Sequence, residues 1–108
     1  MSEQRSATRY GLQLEVELTT TKGRKLRAQS ENLSAGGAML TLHSRYEFEI
    51  GETFVIAFSL SSAEGEPISV LRGATVRWVS DLLPDMLGVA FDQALDAAAA
   101  QRLGELGV

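Results

Sequence analysis

From Leu12 to Leu18 the chain reads Leu-Gln-Leu-Glu-Val-Glu-Leu, apolar at every even position and polar between. A period of two belongs to a strand with one buried face and one wet face, so this stretch is predicted to be a strand. Related patterns recur along the chain. Thr21-Lys-Gly23 makes a turn, and Lys25 to Leu33 follows as a second strand through Leu26 and Ala28. Gly37 to Leu42 is a third, with Ala38, Leu40 and Leu42 on one side. Ser44 to Glu52 is a connector with a turn at Gly51, in which Phe48 and Ile50 are expected to plug the core. Phe54 to Leu60 is apolar almost throughout, as in a well-covered strand. Ser61 to Pro67 is a polar hairpin loop, and Ile68 to Val79 is a long strand with room for a bend at Gly73. Asp81 to Asp85, broken by Pro84, is a further loop before the last strand, Met86 to Phe91. Six short strands with turns at regular intervals predict an all-β fold, a small six-stranded antiparallel β-barrel.

The two ends differ in kind. After Phe91, Leu95, Ala99, Leu103 and Leu106 form one apolar stripe at helical spacing, with Asp92 as the expected cap. Asp92 and Asp96 suit the positive end of that helix, while Gly104 and Gly107 are expected to loosen its finish. The helix is expected to pack on its own domain, which leaves a monomer or at most a weak homodimer. Residues 1–10 are polar and aperiodic and read as a flexible N-terminal arm, so residues 11–108 make up the barrel domain with its C-terminal α-helix.

Composition narrows the function. The 108 residues include no cysteine, which excludes disulfides, thiolate metal sites and thiol nucleophiles, and suits a reducing cytoplasmic setting. Neither a signal-peptide h-region nor a run long enough for membrane insertion is present. The net charge of −4 opposes binding to a nucleic acid polymer, and the seven aromatic residues offer few stacking platforms. Charge is nevertheless uneven. Residues 1–30 carry six Lys/Arg against three Glu, whereas residues 31–108 carry four against eleven acids. Basic charge near the start suits a small anion, although the group from Lys22 to Arg27 reads as a solvated face. His43, the one histidine, has no marked nucleophile or metal partners and reads as a surface or strand-end residue, and no Gly-rich phosphate loop with a lysine is present. Asp81 and Asp85 are too few for a cation site. The chain is not expected to be an enzyme, and no cofactor or metal is expected.

The stretch Ser30-Glu-Asn-Leu-Ser-Ala-Gly-Gly-Ala-Met39 carries more than a corner needs. Asn32 and Ser34, two apart, project from one face of an extended backbone and offer a mixed donor and acceptor set. Gly36 and Gly37 permit positive φ and close approach of another group. Arg5 and Arg9, four apart on the arm, can converge on that polar cup.

Arg-x-x-x-Arg at 5–9, a hairpin, and Asn-x-Ser-x-x-Gly at 32–37 together resemble the two-part signature of the PilZ domain family. Val76-Arg-Trp-Val79 and Leu87-Gly-Val-Ala-Phe91 look like that family's late strands, and the terminal helix fits as well. The resemblance implies a receptor for cyclic di-GMP, a bacterial second messenger, that signals to a downstream protein controlling motility, pili, exopolysaccharide or virulence. A ligand-independent adaptor of the same fold is the alternative it leaves. By resemblance, Arg5 and Arg9 clamp phosphate and guanine, Asn32 and Ser34 bond the guanine edge, and Gly37 shapes the corner beneath. Arginine suits both tasks, since its planar fork matches phosphate oxygens and the guanine O6/N7 edge. Trp78 falls where related domains sometimes place an aromatic against a base, with a core tryptophan as the other reading. Gln4 occupies the position that the family uses to influence whether one ligand or a stacked pair is held. Charge-assisted hydrogen bonds of about 1.5–3 kcal/mol each, set against roughly 1–2 kcal/mol per ordered arm residue, predict micromolar to submicromolar binding. Leu82 and Leu83, beside Pro84, can serve as a contact patch, but ordinary loop packing is the expectation.

Overall fold

The alternating runs pair antiparallel with one another, and the last pairing closes the ring. The computed structural model describes residues 8–61, 65–83 and 85–107. The strands are β1 (Glu15–Thr20), β2 (Lys25–Leu33), β3 (Gly37–Leu42), β4 (Thr53–Leu60), β5 (Ile68–Val79) and β6 (Met86–Phe91), followed by the helix α1 (Ala97–Leu106). Around the closed barrel they run β1-β2-β3-β6-β5-β4, with β4 also paired to β1. This is the six-stranded antiparallel barrel with a C-terminal helix that the sequence predicts. Val16 and Leu18, Leu26 and Ala28, Ala38, Leu40 and Leu42 point inward as their alternation requires.

Several details differ from the pattern. The first strand begins at Glu15, although Leu12 and Leu14 still pack on the core. Ahead of it the Ser30 N–H still bonds the Leu14 carbonyl at 2.9 Å, and the fully buried Ser30 hydroxyl adds two bonds, donating to the Leu12 carbonyl at 2.6 Å and accepting from the Leu14 N–H at 2.9 Å. Phe48 is buried, stacked at a tilt between Tyr46 and Phe54, but Ile50 is 70% exposed and plugs nothing. β4 is covered on one face only. Phe54, Ile56, Phe58 and Leu60 fill the barrel, while Val55 and Ser59 lie outside. β5 passes Gly73 in unbroken register with β4, and its irregularity falls later, between Val76 and Trp78.

The helix starts four residues after the expected cap. Asp96, in extended conformation, accepts a hydrogen bond from the Ala99 N–H at 2.9 Å and caps the first turn. Asp92 instead continues the sheet, its N–H bonded to the Gly73 carbonyl at 2.8 Å. Leu95, Ala99 and Leu103 are buried, and Leu106 packs beside them. Arg102 ties the helix to the barrel by donating to the carbonyls of Leu60 and Glu66 at 3.1 and 2.9 Å. Gly104 and Gly107, expected to loosen the helix end, face Tyr10, and a Cβ at position 107 would press on the root of its ring.

Candidate functional site

Two bulges make the site. β2 alternates inward at Leu26, Ala28 and Ser30, then shifts register against β3 between Ser30 and Asn32, so Leu33 becomes the next inward residue. One extra residue reverses the parity of the strand. Asn32 and Ser34 thereby come out on the wet side of Leu33, both half-buried. Tyr10 is paired to Leu33 through two backbone hydrogen bonds of 2.7 and 2.8 Å, which pins the start of the described chain beside the corner. Arg9 follows from that placement, and its Nη1 donates to the Asn32 Oδ1 at 3.4 Å.

The corner itself is held from several sides. The Ser34 N–H donates to the Gly37 carbonyl at 2.9 Å, and the carbonyls of Ala35 and Gly36 accept from the N–H groups of Leu95 and Phe91, both at 2.8 Å. The Ser34 hydroxyl makes only long local bonds, 3.3 Å from the Gly36 N–H and 3.4 Å to the Gly37 carbonyl. Neither Gly36 nor Gly37 has positive φ, contrary to the conformational role expected of them. Gly37 is required by crowding, because a Cβ there would strike the Val89 carbonyl of the adjacent strand.

The second bulge lies across the sheet. β5 pairs Val76 with Val89 and Trp78 with Gly88, which leaves Arg77 as the extra residue. A bulge re-aims side chains. Here the consecutive residues Arg77 and Trp78 both line one open cleft of about 270 Å³, together with Arg9, Ser34 and Gly37. Trp78 is 40% exposed, which removes the core reading, and its indole lies so close over Gly88 that a Cβ there would overlap it. Among the described residues the cleft lining contains two arginines, one indole and no carboxylate, within a chain of net charge −4. The Arg77 side chain has no hydrogen bond or ion pair among the described residues.

Of the residues singled out from sequence, Arg9, Ser34, Gly37 and Trp78 thus share one cleft, and Asn32 adjoins it through Arg9. Arg5 and Gln4 lie outside the described residues. Arg77 is the residue that sequence reasoning missed, since strict alternation places it opposite to Trp78. His43 bonds Glu15 at 3.0 Å. Among the described residues no group of three or more His, Cys, Asp or Glu could hold a metal ion, and no helix is long and apolar enough to cross a membrane.

Comparison with known proteins gives consistent results. The structure resembles that of the Bacillus subtilis inhibitor of motility (MotI/DgrA), with a TM-score of 0.76 and 21% identity over 97% of this chain and 50% of that one. The chain therefore spans half the length of the Bacillus protein. It also resembles the PilZ domain, with c-di-GMP, of YcgR from Escherichia coli, with a TM-score of 0.67 and 16% identity over 97% of this chain and 89% of that one. No curated protein sequence gives a significant match. The profile of the PilZ domain family matches residues 3–106, and the chain belongs to that family.

Proposed function

We propose that this chain is a cyclic di-GMP receptor that passes the signal to a protein partner through contact. The observation that carries this reading is the cleft lined by Arg9, Arg77 and Trp78, with no carboxylate among the described lining residues, in an otherwise acidic protein. Such a lining suits a ligand that is both anionic and aromatic. Guanidinium groups bond phosphate oxygens in pairs and stack on bases, and an indole adds sequence-tolerant stacking. In this reading Arg9 engages phosphate or guanine, Asn32 and Ser34 bond the guanine edge, Trp78 stacks on a base, and Gly37 keeps the floor open. The cleft lies near the small end of ligand sites, about 300–1,000 Å³, so a dinucleotide is only partly enclosed by the described residues. Arg5 is proposed to complete the enclosure, and Gln4 to bear on whether one ligand or a stacked pair is held. Movement of the arm on binding is the proposed output, and the solved YcgR domain, which contains c-di-GMP, supports the choice of ligand.

Titration with cyclic di-GMP, followed by calorimetry and by the fluorescence of the single tryptophan, tests the reading. Micromolar to submicromolar binding with a changed Trp78 signal is expected, weakened strongly in Arg9→Ala. No heat and no fluorescence change at about tens of micromolar rejects it. A cellular function that persists in Arg9→Ala after nucleotide binding is lost assigns the protein to ligand-independent adaptors instead.

A further inference from the structure

The strand pair that floors the cleft continues directly into a second surface. Beyond the Trp78–Gly88 pair, Val79 and Leu87 face each other across β5 and β6. They line a groove of about 320 Å³, with Leu42 and Phe48 as further apolar wall and Glu47 and Glu49 on its rim. The backbone at Leu82, Leu83 and Met86 in the hairpin above is held by hydrogen bonds. The Ser80 hydroxyl accepts from the N–H groups of Leu82 and Leu83 at 3.2 and 2.9 Å, and the Met86 N–H donates to the Leu83 carbonyl at 2.8 Å. Its leucines nevertheless face water, Leu82 at 89% and Leu83 at 54% exposure, so the expectation of ordinary loop packing does not hold. Single exposed leucines are common. Two adjacent ones, beside an open groove with an apolar wall and a polar rim, form a patch of the kind that marks a contact surface.

Charge selects the occupant. Glu47, Glu49, Asp81 and Asp85 surround the tip and groove, and none has an ion pair among the described residues. Arg24 sits 5.4 Å over the Tyr46 ring, and residues 45–49 and 81–85 together carry four acids against the single Arg45, so these two segments are net acidic. An anionic lipid surface is repelled by such a rim. A second copy in two-fold contact would bring the same carboxylates against themselves. We propose that the β5–β6 hairpin tip and the groove at its base dock a segment of another protein that carries a leucine or aromatic anchor between lysines or arginines. The inference rests on the receptor reading for its biological purpose, and it places the output surface one residue pair from the cleft floor.

Selection from a random-peptide phage library against the parent protein tests it, with the recovered peptide synthesised as a fluorescent probe. The expected peptides carry Leu, Phe or Trp flanked by Lys or Arg, and their affinity falls as salt rises from about 50 to about 300 mM. Leu82→Ser with Leu83→Ser should weaken the probe at least roughly tenfold. Glu47→Lys should weaken it independently, and both variants should keep the parent's unfolding temperature and cyclic di-GMP affinity. The proposal is overturned by failure to recover peptides, by peptides without basic residues, or by equal binding to the leucine variant. Dimerisation or binding to anionic vesicles that depends on Leu82 also overturns it. A parent that binds the peptide but no nucleotide rejects the receptor reading alone, and one that binds nucleotide but no peptide rejects this inference alone.

Discussion

Replacing Ser30 with alanine removes a single oxygen that joins β2 to two backbone groups of the segment ahead of β1. The hydroxyl is fully buried, donates to Leu12 at 2.6 Å and accepts from Leu14 at 2.9 Å, beside the backbone bond from the Ser30 N–H to the Leu14 carbonyl, which remains when it is removed. A net contribution of about 0.5–1.5 kcal/mol per hydrogen bond, raised when a partner is left unsatisfied, puts the loss near 2 kcal/mol, since Leu12 and Leu14 are only half-buried. For a domain of this size that is a fall of roughly 8 °C in unfolding temperature. Thermal unfolding followed by circular dichroism measures it, and hydrogen exchange at the Leu14 amide should accelerate. Ser34→Ala is the internal control. Its bonds of 3.3 and 3.4 Å are long and partly wet, so its effect on stability should stay below about 0.5 kcal/mol. A Ser30→Ala protein that melts within about 2 °C of the parent, with Leu14 exchange unchanged, refutes the reasoning.

Further outcomes follow from the same geometry. Gly37→Ala forces a Cβ onto the Val89 carbonyl and should destabilise the fold by about 1–3 kcal/mol in denaturant titration. Arg77→Ala should raise the cyclic di-GMP dissociation constant about tenfold by fluorescence titration while leaving unfolding unchanged, because the side chain has no partner among the described residues. The Tyr46 phenol is pushed above its ordinary range by desolvation, then by its hydrogen bond to Glu52 and that carboxylate's charge, with Arg24 opposing. The native state therefore holds this proton more tightly than the unfolded chain. Stability from this group is constant below pH about 10 and falls as pH rises past it. Tyr46→Phe should flatten that alkaline decline relative to the parent in melting temperatures.

Most of the architecture was legible because alternation is a direct record of which face is buried. The bounds of β2, β3, β5 and β6 follow from apolar periodicity and turn residues alone. The misreadings share a physical cause. Ile50, Val55 and Leu82 are apolar but exposed, since hydrophobicity does not state whether anything covers a side chain. Asp92 and Asp96 are equivalent as caps in sequence, and the choice is made by distant partners, the carbonyls of Gly73 and Ala35, which hold the N–H groups of Asp92 and Leu95 outside the helix. The cleft was half legible. Arg9, Asn32, Ser34 and Gly37 stand in motifs, whereas Arg77 is delivered by a register shift against β6 that no local pattern reveals. The role of Gly37 was likewise hidden, because its crowding comes from a residue more than fifty positions along the chain.

Closure of the barrel has a consequence for how this protein can be addressed. With β4 paired back to β1 the ring is closed, and among the described strands only the end of the β4–β5 hairpin, Phe58–Leu60 and Ile68–Arg72, lies beyond the pairings with β1 and β6. Within the ring another polypeptide cannot extend the sheet, and a misfolded copy finds a strand edge only at that hairpin end. Recognition around the ring runs through side chains and loop tips, so new associates can be gained or lost by surface substitution while the ring beneath stays the same.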